Sequence, residues 1–138
     1  MRDSTITIYN FHKATGKYKR TVIHNVFFES GSIRTVDTTG KVVFTKTFTI
    51  QIPAEADTGS NEFISRVDFQ KLSNVDNYWT LDELNAKDFI VYGECEMEVD
   101  STHTYTNIKN DFEKCGYISA ITDNTDAPLL KHWKVTAK

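Results

Sequence analysis

Glu94, Glu96, Glu98 and Asp100 alternate with Cys95, Met97 and Val99. In an extended chain that alternation brings the carboxylates to one face, about 7 Å between successive side chains. Carboxylates so spaced can hold a divalent ion or supply the acid and base of a glycosidase. A solvated or interfacial acidic stripe is the plainer reading of the same residues. His12, His24, His103 and His132 stand at neither helical nor hairpin spacing, so a metal or acid–base role needs tertiary coincidence. Cys95 and Cys115 are the only cysteines. They lack the paired spacing of a zinc site and read as reduced, buried thiols of a cytosolic protein. Ser65 and Ser119 have no nucleophile context, and no glycine-rich phosphate loop, nucleophile elbow or HExxH motif occurs. Catalysis, a cofactor and a metal therefore find no positive support in the residues.

Binding chemistry is better represented. Lys13, Lys17, Lys19 and Arg20 form a basic run that complements the acidic Glu94, Glu96 and Glu98. One subunit presenting the first patch to the second patch of its neighbour makes a heterologous, ring-forming contact; an ordinary mixed-charge surface is the alternative. Lys46, in the longest strand, and Asp57 and Glu62, in the polar stretch 54–62 with Gly59, join the expected interface. That stretch reads either as a mobile surface loop or as a subunit-contact arm. A net charge of −3 argues against a dedicated nucleic-acid binder and leaves room for a chain that borders a DNA passage. The N-terminal MRDSTITIYN has no apolar signal core, and no run of about 18 apolar residues occurs, so neither secretion nor membrane anchoring is expected.

Strands must position these residues. Residues 41–52 (KVVFTKTFTIQI), stopped by Pro53, put Val42, Phe44, Phe48, Ile50 and Ile52 on one face and Val43, Thr45, Thr47, Thr49 and Gln51 on the other. This is the period of a half-buried strand. Such a length spans roughly 40 Å, more than a small barrel needs. The strand therefore bends across the core, with Lys46 as the natural place, or reaches beyond it.

Before it, residues 5–9 form a first strand with Ile6 and Ile8 inward, and residues 10–17 a loop. Residues 18–29 are apolar on both faces, which implies a central strand or a phase shift at a bulge near Asn25. Ser30-Gly31 then breaks the chain before a short strand at 33–37 and a turn at 38–41, completing a meander. After it, Asp68 caps a helical turn carrying Phe69 and Leu72, Tyr78 and Trp79 form an aromatic pair, and Leu84 faces inward. Residues 88–99 make a strand, with Gly93 at a bend or a close backbone approach. Residues 105–115 are the one clear helix, capped by Thr104, ended by Gly116, and striped with Tyr105, Ile108, Phe112 and Cys115. Closing strands at 117–122 and 130–136 follow, joined by a turn that ends at Pro128, with Leu129, Trp133 and Val135 sharing a face with Lys131. The sum, over residues 1–138, is a single mainly β domain. It is a small, partly open β-barrel or sandwich with long extended strands and one packed amphipathic helix.

Residues 18–26 (YKRTVIHNV), 49–53 (TIQIP), 78–81 (YWTL) with 88–94 (DFIVYGE), and 130–135 (LKHWKV) carry a resemblance. In that order they resemble a family of small proteins encoded among the head–tail morphogenesis genes of phages and prophages of Gram-positive bacteria. The likeness runs from the second strand to the C-terminus, and the order of its short motifs is the informative part. The family more often has glycine where this chain has Asn25 and an acidic residue where it has Lys134. The closing segment also looks like small β-barrel head-closure proteins. The resemblance implies a virion structural component, a head–tail connector of the neck, assembled in the bacterial host cytoplasm into a hexameric or dodecameric ring. Its partners would be further copies of itself, a portal or adaptor protein, and tail-side proteins. It carries over no catalytic residue. The ring contacts expected are the strand at 41–52, its neighbouring loops and residues 54–62. A tail-terminator or minor tail subunit is the alternative within virions. A monomeric ligand-binding barrel with a concave apolar pocket, and a small hydrolase with a metal held by histidines and the acidic stripe, are the alternatives of other classes.

Overall fold

A computed structural model describes residues 4–56, 58–59, 61–84, 87–99, 104–126 and 131–138. Apolar–polar alternation drives six segments into a sheet that closes on itself. These are β1 (Ser4–His12), β2 (Lys17–Val36), β3 (Val42–Pro53), β6 (Phe89–Tyr92), β7 (Cys115–Asn124) and β8 (His132–Ala137), in the closed order β1-β2-β3-β8-β7-β6. Every neighbouring pair in the barrel is antiparallel. Outside it, β4 (Glu62–Phe63) pairs in parallel with β5 (Tyr78–Trp79), and two short helices, α1 (Arg66–Lys71) and α2 (Tyr105–Asp111), pack on the surface. The mainly β barrel expected from the sequence is present, and its ring of strands is complete rather than partly open.

The barrel is filled by side chains. Ile6 and Ile8 of β1, Ile23 and Val26 of β2, Phe48, Ile50 and Ile52 of β3, and Trp133 and Val135 of β8 meet inside, with Trp79 from β5 joining them. Ile23 and Val26 both point inward because the chain slips phase between them, at Asn25 with φ 63°. This is the bulge expected near Asn25: Ile6 pairs with Ile23 while Ser4 pairs with Val26. A second core lies on the outside of β1 and β6, where Ile108 of α2 packs with Tyr9, Phe89, Val91, Cys95 and Cys115. Both cysteines are free and buried there.

Several local expectations are corrected. β1 continues through Asn10 to His12, both buried, because their side chains find partners inside the fold. Ser30-Gly31 does not break the chain, since β2 pairs with β3 without interruption from Phe27 to Val36. The three-strand meander is thus a two-strand hairpin, and β3 passes through Lys46 with its pairing intact. Ser65, not Asp68, caps α1: its hydroxyl accepts the Asp68 amide at 3.2 Å. Leu84 points outward and is 67% exposed. β6 ends at Tyr92 because Gly93 turns the chain at φ 100°, though the burial of Cys95 and exposure of Glu94, Glu96 and Glu98 keep the expected alternation. α2 starts after Thr104 as expected but stops at Asp111. Gly116 lies in β7, where a Cβ would come within 2.6 Å of the Lys138 backbone. In β8, Trp133 and Val135 face inward while Lys131 is exposed; Pro128 and Leu129 lie outside the described residues.

Candidate functional site

The neighbours of β2 and β3 give out before the strands do. Among the described residues, β8 pairs with β3 only from Phe48 to Pro53, and β1 pairs with β2 only as far as Val26. Residues 31–36 and 42–47 therefore continue as a two-stranded arm, six residues on each side, reaching about 20 Å past the barrel wall. The pairs Val36–Val42, Arg34–Phe44, Ser32–Lys46 and Ser30–Phe48 stack along one face of the ribbon, because cross-strand partners point the same way. That face runs on from the barrel interior. Phe48 is 5% exposed where the barrel covers it, whereas Phe44, two positions further out on that face, is 69% exposed and Val36 61%.

The arm's tip is built to hold its shape. Asp37 Oδ1 accepts the Thr39 hydroxyl at 2.6 Å and the amides of Thr39 and Lys41, each at 2.9 Å. Gly40 takes the left-handed φ of 84° that the turn requires. These donors favour the carboxylate and lower the Asp37 pKa, the Thr39 hydroxyl most of all.

Where the arm leaves the barrel, it and the end of α2 enclose an open groove of about 380 Å³. Phe44, Phe48 and Cys115 supply its apolar lining, and Lys46, Lys109, Lys114 and Lys138 its cations, against one acid, Glu113. The Lys114 ammonium lies 5.2 Å from the centre of the Tyr92 ring. Burial raises the Cys115 pKa, which keeps the thiol protonated and unreactive.

The expected basic and acidic patches meet within one chain. After Gly93 the segment doubles back over β1, which puts Glu98 Oε1 3.4 Å from Arg20 Nε. Arg20 also donates to the Cys95 carbonyl at 2.8 Å. Lys19 donates to the Asp76 carbonyl at 2.6 Å, and its burial lowers its pKa. Lys17, Lys19, Arg20 and Glu98 line one polar cleft of about 370 Å³ together with His12, while the Lys13 amide donates to Gln70. Glu94 and Glu96 stay exposed beyond the cleft, and Glu62 is exposed in β4. Lys46 is on the arm; Asp57, like Asp100 and His103, lies outside the described residues.

His12 is a structural histidine. Its Nε2 lies 2.7 Å from the Leu72 carbonyl, which can only accept, so that nitrogen donates, and its Nδ1 lies 2.9 Å from the Thr15 hydroxyl. Among the described residues no three of His, Cys, Asp and Glu gather to hold a metal ion, and no helix is long and apolar enough to cross a membrane. Sequence reasoning missed Val36, Lys109, Lys114 and Lys138 as surface-site residues. The available signal was the surplus length of the strand containing Phe44, which continues the apolar alternation past the point where partners exist to bury it.

The whole chain, residues 1–138, matches a family of unknown function, DUF6751. The chain belongs to the DUF6751 family. Comparison with curated proteins gives no match, nor does comparison with solved structures. The physical features of this DUF6751 chain are a filled barrel and an arm with exposed Val36, Val42 and Phe44 and a lysine-lined groove at its root.

Proposed function

We propose that this protein is a structural subunit that assembles with copies of itself through the arm, and that it serves as a head–tail connector in the neck of a tailed phage or prophage. The observation that carries the assembly reading is the arm's unpartnered apolar face. Val36, Val42 and Phe44 expose apolar surface on a continuously paired two-stranded ribbon, and contiguous patches of this kind on soluble chains mark contact surfaces. A stable contact buries about 800 Å² on each partner, about a tenth of a small protein's surface. The placement in a virion is supported by the ordered motifs of β2, β3, β6 and β8 that resemble proteins of the head–tail morphogenesis region. The portal on one side and the tail proteins on the other are the further partners this reading names. A ligand-binding barrel is disfavoured because the lumen is occupied by Ile6, Ile8, Ile23, Ile50 and Ile52, all fully buried.

The test is the mass of the chain in solution across a concentration series, alone and mixed with a portal protein and a tail-side protein. Growth to a defined ring, or capture by one of the two, is the expected outcome. A monomer at every concentration that binds neither would sink the proposal.

A further inference from the structure

The closed barrel offers no free edge, because each of its strands pairs on both sides. The arm does. Among the described residues no third strand pairs with residues 31–36 or 42–47, so alternate amides and carbonyls along both edges of the ribbon point outward with no strand to meet them. We infer that the β3 edge of the arm, residues 42–47, pairs antiparallel with the same edge of a second copy across a two-fold axis, making one four-stranded sheet in the order β2-β3-β3-β2. The inference rests on the self-assembly reading above and names the contact that carries it.

The sequence of the two edges selects β3. Residues 42–45 (VVFT) hold no proline, glycine or charge, and no bulge interrupts their pairing with β2. The devices that usually protect an edge strand are therefore absent from them. The β2 edge, by contrast, carries Gly31 and Arg34 within its six residues. Sterics select the direction. Two arms pointing the same way would lay β2 of one copy beside β3 of the other, and below residue 31 that incoming strand would run into β8, where Ala137 already pairs with Phe48. Arms that meet from opposite directions leave the two barrels at the two ends of the new sheet.

The faces select the register. A two-fold axis perpendicular to the sheet keeps the Val36, Val42 and Phe44 faces of both copies on one side. With the axis at Val43, each Val43 meets the other and each Phe44 lies opposite a Val42. Aromatic and β-branched pairs of this kind stabilise a sheet. The incoming turn then ends short of Ala137, whereas an axis at Phe44 would press it onto that residue. A contact that uses the same surface twice is isologous and gives an even number of copies, as hexamers and dodecamers both have. Each arm brings Arg34, Lys41 and Lys46 against Asp37 alone, so salt should tighten the pairing by screening their repulsion. A nucleic acid held by the same cations would be released by salt.

The experiment oxidises Val43→Cys and Thr47→Cys chains separately under mild conditions; the native Cys95 and Cys115 are buried and do not compete. It also measures the concentration for half-assembly of Val43→Lys and Val43→Thr, and follows amide exchange residue by residue in dilute and assembled chains. A disulfide joining position 43 to position 43 is expected, formed much faster than any at position 47, which lies well away from the axis on each copy. Val43→Lys sets two like charges opposite each other and should raise the half-assembly concentration about tenfold, and Val43→Thr should leave it unchanged. On assembly, the alternate amides of residues 42–47 that face away from β2 should become slow to exchange. Assembly in which those amides exchange as in the dilute chain and Val43→Lys has no effect overturns this inference and leaves self-assembly standing; a strict monomer overturns both. If Val43→Cys chains mixed with Thr35→Cys chains join 43 to 35 in preference to 43 to 43, the arms lie side by side and the two-fold contact is overturned as well.

Discussion

Asn25 and Asn10 carry more of the fold than their residue type advertises. Asn25 holds φ 63° in the longest strand and supplies the slip that turns both Ile23 and Val26 inward. A β-branched residue is strained in that conformation, so Asn25→Val should cost about 1–2 kcal/mol in urea unfolding, whereas Asn25→Gly should be close to neutral. Asn10 is fully buried, and its amide group donates to the Thr80 carbonyl and Asp88 Oδ2, each at 2.8 Å, while accepting the Thr80 amide at 3.2 Å. Asn10→Leu strands buried partners on the other side of the core, and a loss of about 3 kcal/mol is expected in the same assay. The sequence points to a bulge at Asn25 because the apolar phase changes there. It misreads Asn10 as a turn residue because an asparagine beside other polar residues usually is one, and partners distant along the chain leave no local mark.

At the scale of the element, β3 divides into a covered half and a bare half with one face common to both. Phe48→Ala empties a core position and should cost about 3–5 kcal/mol. Phe44→Ala, on the same face, should change unfolding by less than about 0.5 kcal/mol and register instead in the concentration series as weakened assembly. If Phe44→Ala destabilises the isolated chain as much as Phe48→Ala does, the arm packs against its own barrel and is not a contact surface. The alternation of β3 was legible in full, including that it was too long for a small barrel. Which half would be covered was not legible, because residues 42–47 and 48–53 carry the same period.

For the molecule as a whole, the second core is a liability in alkali. The phenols of Tyr9, Tyr18, Tyr105 and Tyr117 all have pKa values raised above the ordinary 10.0, with burial the largest cause in each, and that of Tyr18 is pushed up to about 12. An unfolded phenol ionises before a folded one, so the stability tied to these groups is intact below pH 10 and is withdrawn as pH rises through the folded values. The melting temperature should hold level up to pH 10 and fall above it, with tyrosinate absorbance growing in step with unfolding. Absorbance that appears well before unfolding would show these phenols to be open to solvent. The sequence by itself determined the strand periods, the inward side of β1, the burial of both cysteines and the start of α2 at Thr104, and narrowed residues 18–29 to a central strand or a slip near Asn25, because alternation and caps are properties of neighbouring residues. Tertiary structure alone decided that the barrel closes, that the segment after Gly93 folds back to bring Glu98 to Arg20, and that β2 and β3 outrun their partners. The reason is that each depends on where a distant strand begins or ends: among the described residues Ser4 makes the last pairing of β1 with β2 and Ala137 that of β8 with β3, and nothing within residues 31–47 encodes either limit.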